Sequence, residues 1–458
     1  MTDAALKNEF GFAFIDRPVS HGRAAAFGVA SIGTVIFVIT PQLLLLYFMT
    51  DTLGIPAAYA GLAILVPKLI EFFLDIGVGT WSDRQVGKHG RRLPFMRVGA
   101  WLFPFAFAAV FAVPSSLAWP MALAWVVVAM LMATSAYTLF SVPYITLAGE
   151  LSPTPAMRLR ITAWRMAFVA IGVLIAGGVA PELIGSFGGG RAGYAAMGAL
   201  FAILAVVVMG ASIVAARGVP PIATGTIIDT RQGVSLSSVK TVLLQSREYQ
   251  RLWVSYMLQL LGISVNAAML PYAVEYQLRA GADFVSVIFI VMTLGTLLAM
   301  PLTVRFAARQ GSVTSYILSL LLSAAGVAAM AFAAPAAASI ILIAAGLFGL
   351  GQAGGTSLPF AMLPSAFEAR NPDLARANAG AMTGIWVAGE KLGLAAGAGL
   401  AGVLLGAVGY QSGASVQTPG TLAAIPWIFG PLAAIFMLLA IIPLLPLRAS
   451  PLNAKAMS

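Results

Sequence analysis

The sequence contains no cysteine among its 458 residues. Disulfides, thiolate nucleophiles and cysteine-ligated metal sites are therefore excluded. Charge is scarce as well: Asp, Glu, Lys and Arg make up 9% of the chain, against 60% apolar residues. A soluble protein of this length needs far more charge to keep its surface wet. Histidine is limited to His21 and His89, both in basic segments. With neither Cys nor His in the apolar runs there is no catalytic set, so the chain does not read as an enzyme. No loop is large enough to be a soluble output domain, which argues against a non-transporting membrane sensor. The residues before Arg23 are polar and lack the apolar core of a cleavable signal, which leaves the first apolar run as the targeting signal.

What the chain has in abundance is long hydrophobic runs, with a mean hydropathy of +0.93. Runs of about 20 apolar residues recur along nearly its whole length, each long enough to cross a hydrocarbon core of about 30 Å. They predict spans near 24–49, 57–80, 94–113, 118–145, 160–185 and 194–216. After a polar stretch come 250–277, 284–307, 312–334, 336–363, 378–408 and 422–447. The segment 218–249, with Pro220, Pro221, Gly225 and Gly233, reads as a solvated linker between a six-helix half at 1–217 and another at 250–458. The expectation is an all-α membrane protein of twelve transmembrane helices in two six-helix halves.

The formal net charge of +10 would suggest nucleic acid in a soluble protein. Here its distribution gives a different reason. Of the 26 Lys and Arg, 21 fall in segments on the side of the N-terminus, and outer loops keep only Arg191 and Arg279. Basic residues concentrate on the cytoplasmic side. The expected localisation is the bacterial inner membrane with both termini cytoplasmic. The expected partners are membrane lipid and a small-molecule solute, with no nucleic acid, and the protein is expected to be a monomer.

Lys68, Glu71 and Asp75 sit inside the second apolar run. At about 100° per residue they share an arc of roughly 60°. An ionised group at the bilayer centre costs at least about 2.5–3.5 kcal/mol, so this face must point into the bundle. Two carboxylates four residues apart in low dielectric need a cation between them. A proton, a sodium ion or Lys68 supplies it; an ion-pair ladder that merely specifies packing is the alternative. Just beyond, Gly79, Asp83, Arg84, Gly90, Arg91 and Arg92 resemble the signature loop of the major facilitator superfamily. They predict a tight helix-to-loop transition whose acid and bases latch neighbouring helix ends.

The stretch Val66–Gly79, VPKLIEFFLDIGVG, resembles the second-helix signature of the glycoside-pentoside-hexuronide:cation symporters, the melibiose carrier family. Lys68, Glu71, Asp75 and Gly79 occupy its basic, acidic, acidic and glycine places, with Leu74 and Ile76 replacing the usual polar residue and proline. The stretch Tyr137–Phe168 extends the resemblance through the fourth span and into the fifth. It implies a major facilitator fold and cation-coupled symport of a glycoside, uronide or related small solute by alternating access. No cofactor is implied beyond a coupling ion, Na+ or H+, and no metal beyond a Na+ at Asp75.

By the same resemblance Asp75, Glu71 and Thr138 are the cation-site candidates. Ser141 stands where sugar carriers of the melibiose type place an Asp for substrate hydroxyls. Lys391, mid-span in GIWVAGEKLG, matches a family lysine and lies too deep to reach water at either end. Lys68, Ser141, Arg165, Lys391 and Trp386 form the candidate substrate set. Asp83, Arg84, Arg91, Arg92 and Glu368 form the candidate gate, with Ser365 in place of one usual Asp. Because the first span from Ala24 to Met49 has no ionised residue while Arg165 and Lys391 remain, an acidic or amphiphilic solute is favoured over a neutral disaccharide. A lysolipid carrier is the alternative within transport. Asn266, Gln259 and Gln352 read as amides that bridge helices, and the glycine run after Lys391 reads as a surface for close helix approach.

Overall fold

In the computed structural model the described residues are 20–89, 92–151, 155–217, 246–332, 338–368, 372–414 and 416–453. They form twelve long helical passages and, among the described residues, no strand. The first half contains α1 (21–52), α2 (Ala57–His89), α3 (Leu93–Phe111), α4 (Trp119–Glu150), α5 (155–186) and α6 (Gly190–Ala216). The second contains α7 (Arg247–Gln277), α8 (Ala282–Gln310), α9 (Ser312–Phe332), α10 (Ala338–Glu368), α11 (Pro372–Ala407) and α12 (Pro419–Ala449). Among the described residues, eleven of these passages are long and apolar enough to cross a membrane. Trp101, Phe105, Leu298 and Ile343 point outward, more than two-thirds exposed. In a soluble protein such a belt would aggregate; here it meets lipid.

The helices are ended by local chemistry. Ser20 Oγ accepts from Arg23 N and Ser246 Oγ from Tyr249 N, each at 3.2 Å, capping α1 and α7. The turn between α5 and α6 runs through Gly188, Gly189 and Gly190, whose φ values of 84°, 66° and 52° penalise any side chain. Pro41 and Pro271 lack the N–H that continues an α-helical ladder, and wider π-turns occur at Pro41–Leu45 and Ala273–Gln277. Further π-turns lie at Phe48–Thr52 and Ile175–Val179.

One boundary differs from the sequence expectation. Rather than turning into a loop at Gly79, α2 continues as helix through Asp83 and Arg84 to His89. No proline lies between Gly79 and His89 to stop the helix, and the single glycine there, Gly87, only weakens it. The Gly79, Asp83 and Arg84 positions of the motif therefore sit on the helix itself.

α11 packs on both halves, against α2 and α7. Gly389, Gly393 and Gly397, spaced four apart, lie against Trp253, Leu260 and Ser264 of α7. On another face, a Cβ on Gly402 would fall 2.6 Å from Gly61 Cα, and one on Gly61 would fall 2.5 Å from Gly399 O. Here α2 of the first half and α11 of the second touch backbone to backbone. A second junction seats Phe289 and Ile290 of α8 against Gly177 and Gly178 in the π-turn of α5. Both junctions lie at the end of the molecule where α1 ends and α2 begins, away from Arg217 and Ser246, called the far end below.

Candidate functional site

Midway along α2, one turn past Pro67, the interior charges meet. Glu71 is 1% exposed and takes ammonium groups on both oxygens. Lys68 Nζ lies 2.7 Å from Oε2, and Lys391 Nζ of α11 lies 2.7 Å from Oε1. Lys391 also pairs with Asp75 Oδ2. The other oxygen, Asp75 Oδ1, accepts from Thr138 Oγ1 of α4 at 2.9 Å. Lys68 rests 4.9 Å above the ring of Phe37 on α1, a cation–π contact worth more once desolvated. Two ammonium and two carboxylate groups thus balance, which is the condition for holding charge at this depth. Asp75 and Lys391 keep 23% and 22% exposure, while Glu71 is sealed. An ion or water therefore reaches the Asp75 end of the cluster first.

Sequence reasoning offered a proton, a sodium ion or Lys68 as the charge between the two acids. The structure adds Lys391, from the other half of the molecule, to both acids. The opposite half's lysine occupies the place between Glu71 and Asp75 that a coupling cation is expected to take.

The remaining candidates are dispersed around this cluster. Ser141 is buried on α4, one turn from Thr138 and within the same bundle interior. Arg165 of α5 lies over Tyr144, with Cζ 4.8 Å from the ring centroid. Gly28 of α1 allows that approach, since a Cβ there would be 3.1 Å from Arg165 N. Tyr144 Oη is bonded to Ser31 Oγ at 3.0 Å. Among the described residues no carboxylate pairs with Arg165, and its buried Nε has no hydrogen-bond partner. Trp386 is fully buried, stacked on Tyr256 at 4.8 Å and edge-on to Phe360. In this conformation its ring packs within the second half rather than facing a cavity.

Of the gate set, Arg92 donates to Ser82 Oγ at 3.0 Å, which ties the start of α3 to α2. Arg91 lies outside the described residues, as do the side chains of Asp83, Arg84 and Glu368. Among the bridging amides, Gln259 accepts from Tyr316 at 2.5 Å and Asn266 Nδ2 donates to Phe429 O at 3.4 Å; Gln352 Oε1 has no partner.

Sequence reasoning passed over a cluster at the far end, made of Tyr47, Asp51, Tyr272, Glu275, Tyr276 and Tyr410. A lone acid beside a short loop reads as solvated, and nothing in the local sequence pairs Asp51 with residues more than 200 positions away.

Residues 26–448 match the family model described as MFS/sugar transport protein. The chain belongs to that family. Its relatives include the Inner membrane symporter YicJ of Escherichia coli (strain K12), 23% identical over 91% of this chain and 89% of that protein. The uncharacterized symporter sll1374 of Synechocystis is 32% identical, over 31% of this chain and 27% of that one. The "Putative sulfoquinovose importer" of Salmonella typhimurium is 30% identical over 33% of this chain and 32% of that one.

Solved structures with the same fold include a D-xylose-proton symporter, with a TM-score of 0.64 at 15% identity over 93% of this chain and 97% of that one. A bacterial homologue of the iron transporter ferroportin in inward-facing state gives 0.66 at 15% identity, over 94% and 98%. The fold is thus the major facilitator fold, and this member of the MFS/sugar transport family is a multi-pass membrane transporter, not an enzyme. In such a fold, bonds between the halves are bonds between the two bodies that rock about a central site.

Proposed function

We propose that the protein is a cation-coupled symporter of the bacterial inner membrane that carries an acidic, carbohydrate-like solute by alternating access. The observation that carries this reading is Lys391. It crosses from the second half to pair with Glu71 and Asp75, so the two halves are joined by an internal cation standing at the candidate ion site. A coupling ion, Na+ or H+, that takes over Asp75 frees Lys391, and the freed ammonium offers its charge to a solute. Thr138 Oγ1 and the two carboxylates are the groups the chain supplies to that ion.

Arg165 supports the acidic solute. A half-buried guanidinium with an open, buried Nε–H and no carboxylate partner among the described residues is a prepared seat for an anion. The Salmonella relative named for sulfoquinovose, a sugar bearing a sulfonate, points to the same class. With the basic segments inside, the linker end is cytoplasmic and the far end periplasmic. The far-end junctions are then closed contacts on the outside, the arrangement of an inward-facing carrier.

The test is uptake into proteoliposomes of labelled sugars, sulfonated sugars, uronides and lysolipids, each with a sodium gradient and with a proton gradient. Accumulation of an anionic sugar under one of the two gradients is expected. Gradient-driven accumulation of a neutral disaccharide, with no anion transported, would sink the solute assignment. Reporter fusions after Lys240 and near Gly188 check the orientation: the first should read cytoplasmic and the second periplasmic.

A further inference from the structure

Asp51 lies in the last turn of α1, in the first half of the molecule. Tyr276 of α7 donates to its Oδ1 at 2.8 Å, and Tyr410, just beyond α11, donates to the same oxygen at 2.5 Å. Thr50 Oγ1 donates to Oδ2 at 2.6 Å and lies 2.6 Å from Tyr272 Oη of α7. With the Thr50 proton committed to Asp51, Tyr272 is the donor to Thr50. Beside this set, Tyr47 of α1 donates to Glu275 of α7. Four tyrosines and two carboxylates therefore bond across the halves at the far end.

The backbone is shaped for it. The π-turn Phe48–Thr52 carries Thr50 and Asp51, and the facing π-turn Ala273–Gln277 carries Glu275 and Tyr276. A π-turn redirects side chains relative to an α-helical course, and here one from each half turns its polar groups toward the other.

These acids have phenols as partners where Glu71 and Asp75 have ammonium groups. A cavity of about 530 Å³ adjoins them, with Leu44, Tyr47, Asp51, Tyr194, Glu275 and Tyr276 in its wall. Its one lining cation, Arg191, donates to Pro114 O at 2.8 Å. A carboxylate held by neutral donors is released without stranding a counter-charge, because water replaces each phenol as the halves part. Such bonds suit a contact that is made and broken in every cycle.

We propose that Asp51 is the acceptor of an outer latch, in which Tyr276 and Tyr410 hold the far end shut and must let go before a solute enters from that side. The latch is separate from the ion site on α2 and does not depend on which solute or ion is carried.

The cysteine-free chain makes the test direct. Leu44 is 3% exposed, in the segment of α1 that packs on α7, so parting of the halves uncovers it. In a Leu44→Cys background, labelling by an impermeant maleimide is followed from each side of sealed vesicles in turn. Asp51→Ala is expected to raise the far-side labelling rate about tenfold, the size of a modest population shift. Tyr276→Phe combined with Tyr410→Phe, which keeps the rings and the acid, is expected to raise it in the same direction. Tyr194→Phe, in the same cavity wall with no bond across the halves, should label at the parent's rate. The latch is overturned if the tyrosine pair labels as the parent does, or if Tyr194→Phe rises as much as the pair. Should Asp51→Ala not fold, the tyrosine pair decides alone.

Discussion

At the middle of the molecule Glu71 and Asp75 meet ammonium groups, whereas at its far end Asp51 and Glu275 meet phenols. Both sets join α-helices of opposite halves, yet they differ in what parting the halves requires. Withdrawing Lys391 leaves Asp75 without a counter-charge and sealed Glu71 with Lys68 alone, so another cation has to arrive first. Withdrawing Tyr276 or Tyr410 exposes Asp51 to water, which needs no exchange of charge. In the proposed mechanism, ion coupling belongs at α2 and α11, and simple closure belongs at α1 and α7. A carrier with the two reversed would leak, because its outer closure would wait for an ion while its centre opened without one.

The largest break in this contrast is expected from Asp75→Asn, which keeps the volume and removes the charge that a coupling ion would neutralise. Gradient-driven accumulation should fall by about 100-fold, while solute exchange across the vesicle membrane persists. Accumulation equal to the parent's, with an unchanged ion requirement, would make Asp75 structural and move the coupling site elsewhere.

Next comes Lys391→Met, which strands Asp75 and leaves Glu71 with Lys68 alone. Breaking a buried pair costs about 3–5 kcal/mol; because Lys391 and Asp75 keep some solvent contact, the expected loss is at the low end, about 3 kcal/mol in unfolding experiments. Adding Asp75→Asn should return most of that stability, since the stranded charge is gone. No recovery in the double variant would mean that the two side chains are not energetically coupled.

Gly402→Val probes the closed junction at the far end. Its Cβ would lie 2.6 Å from Gly61 Cα and 2.8 Å from Ala57 O, both backbone atoms that cannot move aside. The halves should then be held apart on that side, with transport down about tenfold and labelling of Leu44→Cys increased. Normal transport would show that α2 and α11 do not need to meet this closely.

The smallest effect is expected at a bond within one half. Arg23 donates from Nε to Ala215 O at 2.9 Å and from Nη2 to Arg217 O at 2.8 Å, tying the start of α1 to the end of α6. Arg23→Ala should cost about 1 kcal/mol of stability and leave transport rates as they were. A transport defect there would extend the moving parts into the first half itself.

The twelve passages were legible because each is a long apolar run, and the interior charges were legible because charge is costly in such runs. Glu71, Asp75, Thr138 and Lys391 could be singled out one helix at a time. Their meeting was not legible, since Lys391 is separated from Asp75 by 316 positions and no local periodicity encodes that distance. The same applies to Asp51 with Tyr276 and Tyr410. Trp386 shows a different limit, because a tryptophan near a charged mid-span position suggests a solute platform, while Tyr256 and Phe360 from two other helices enclose it. The end of α2 falls later than expected because the motif beginning at Gly79 reads as a helix-to-loop transition, although a glycine weakens a helix by only about 1 kcal/mol and tertiary packing supplies more.

That long α2 has a mechanical consequence. A single rod runs from Gly61, where the halves touch, through Glu71 and Asp75, to Asp83 and Arg84 near its other end. At 1.5 Å per residue the charges sit about 15 Å from the contact and about 12 Å from the motif. The rod is thus a lever with its load near the middle: in the proposed mechanism, replacing Lys391 by an ion changes the force at that midpoint, and both ends feel it. Pro67, lying between the contact and the first charge, is where such a lever flexes.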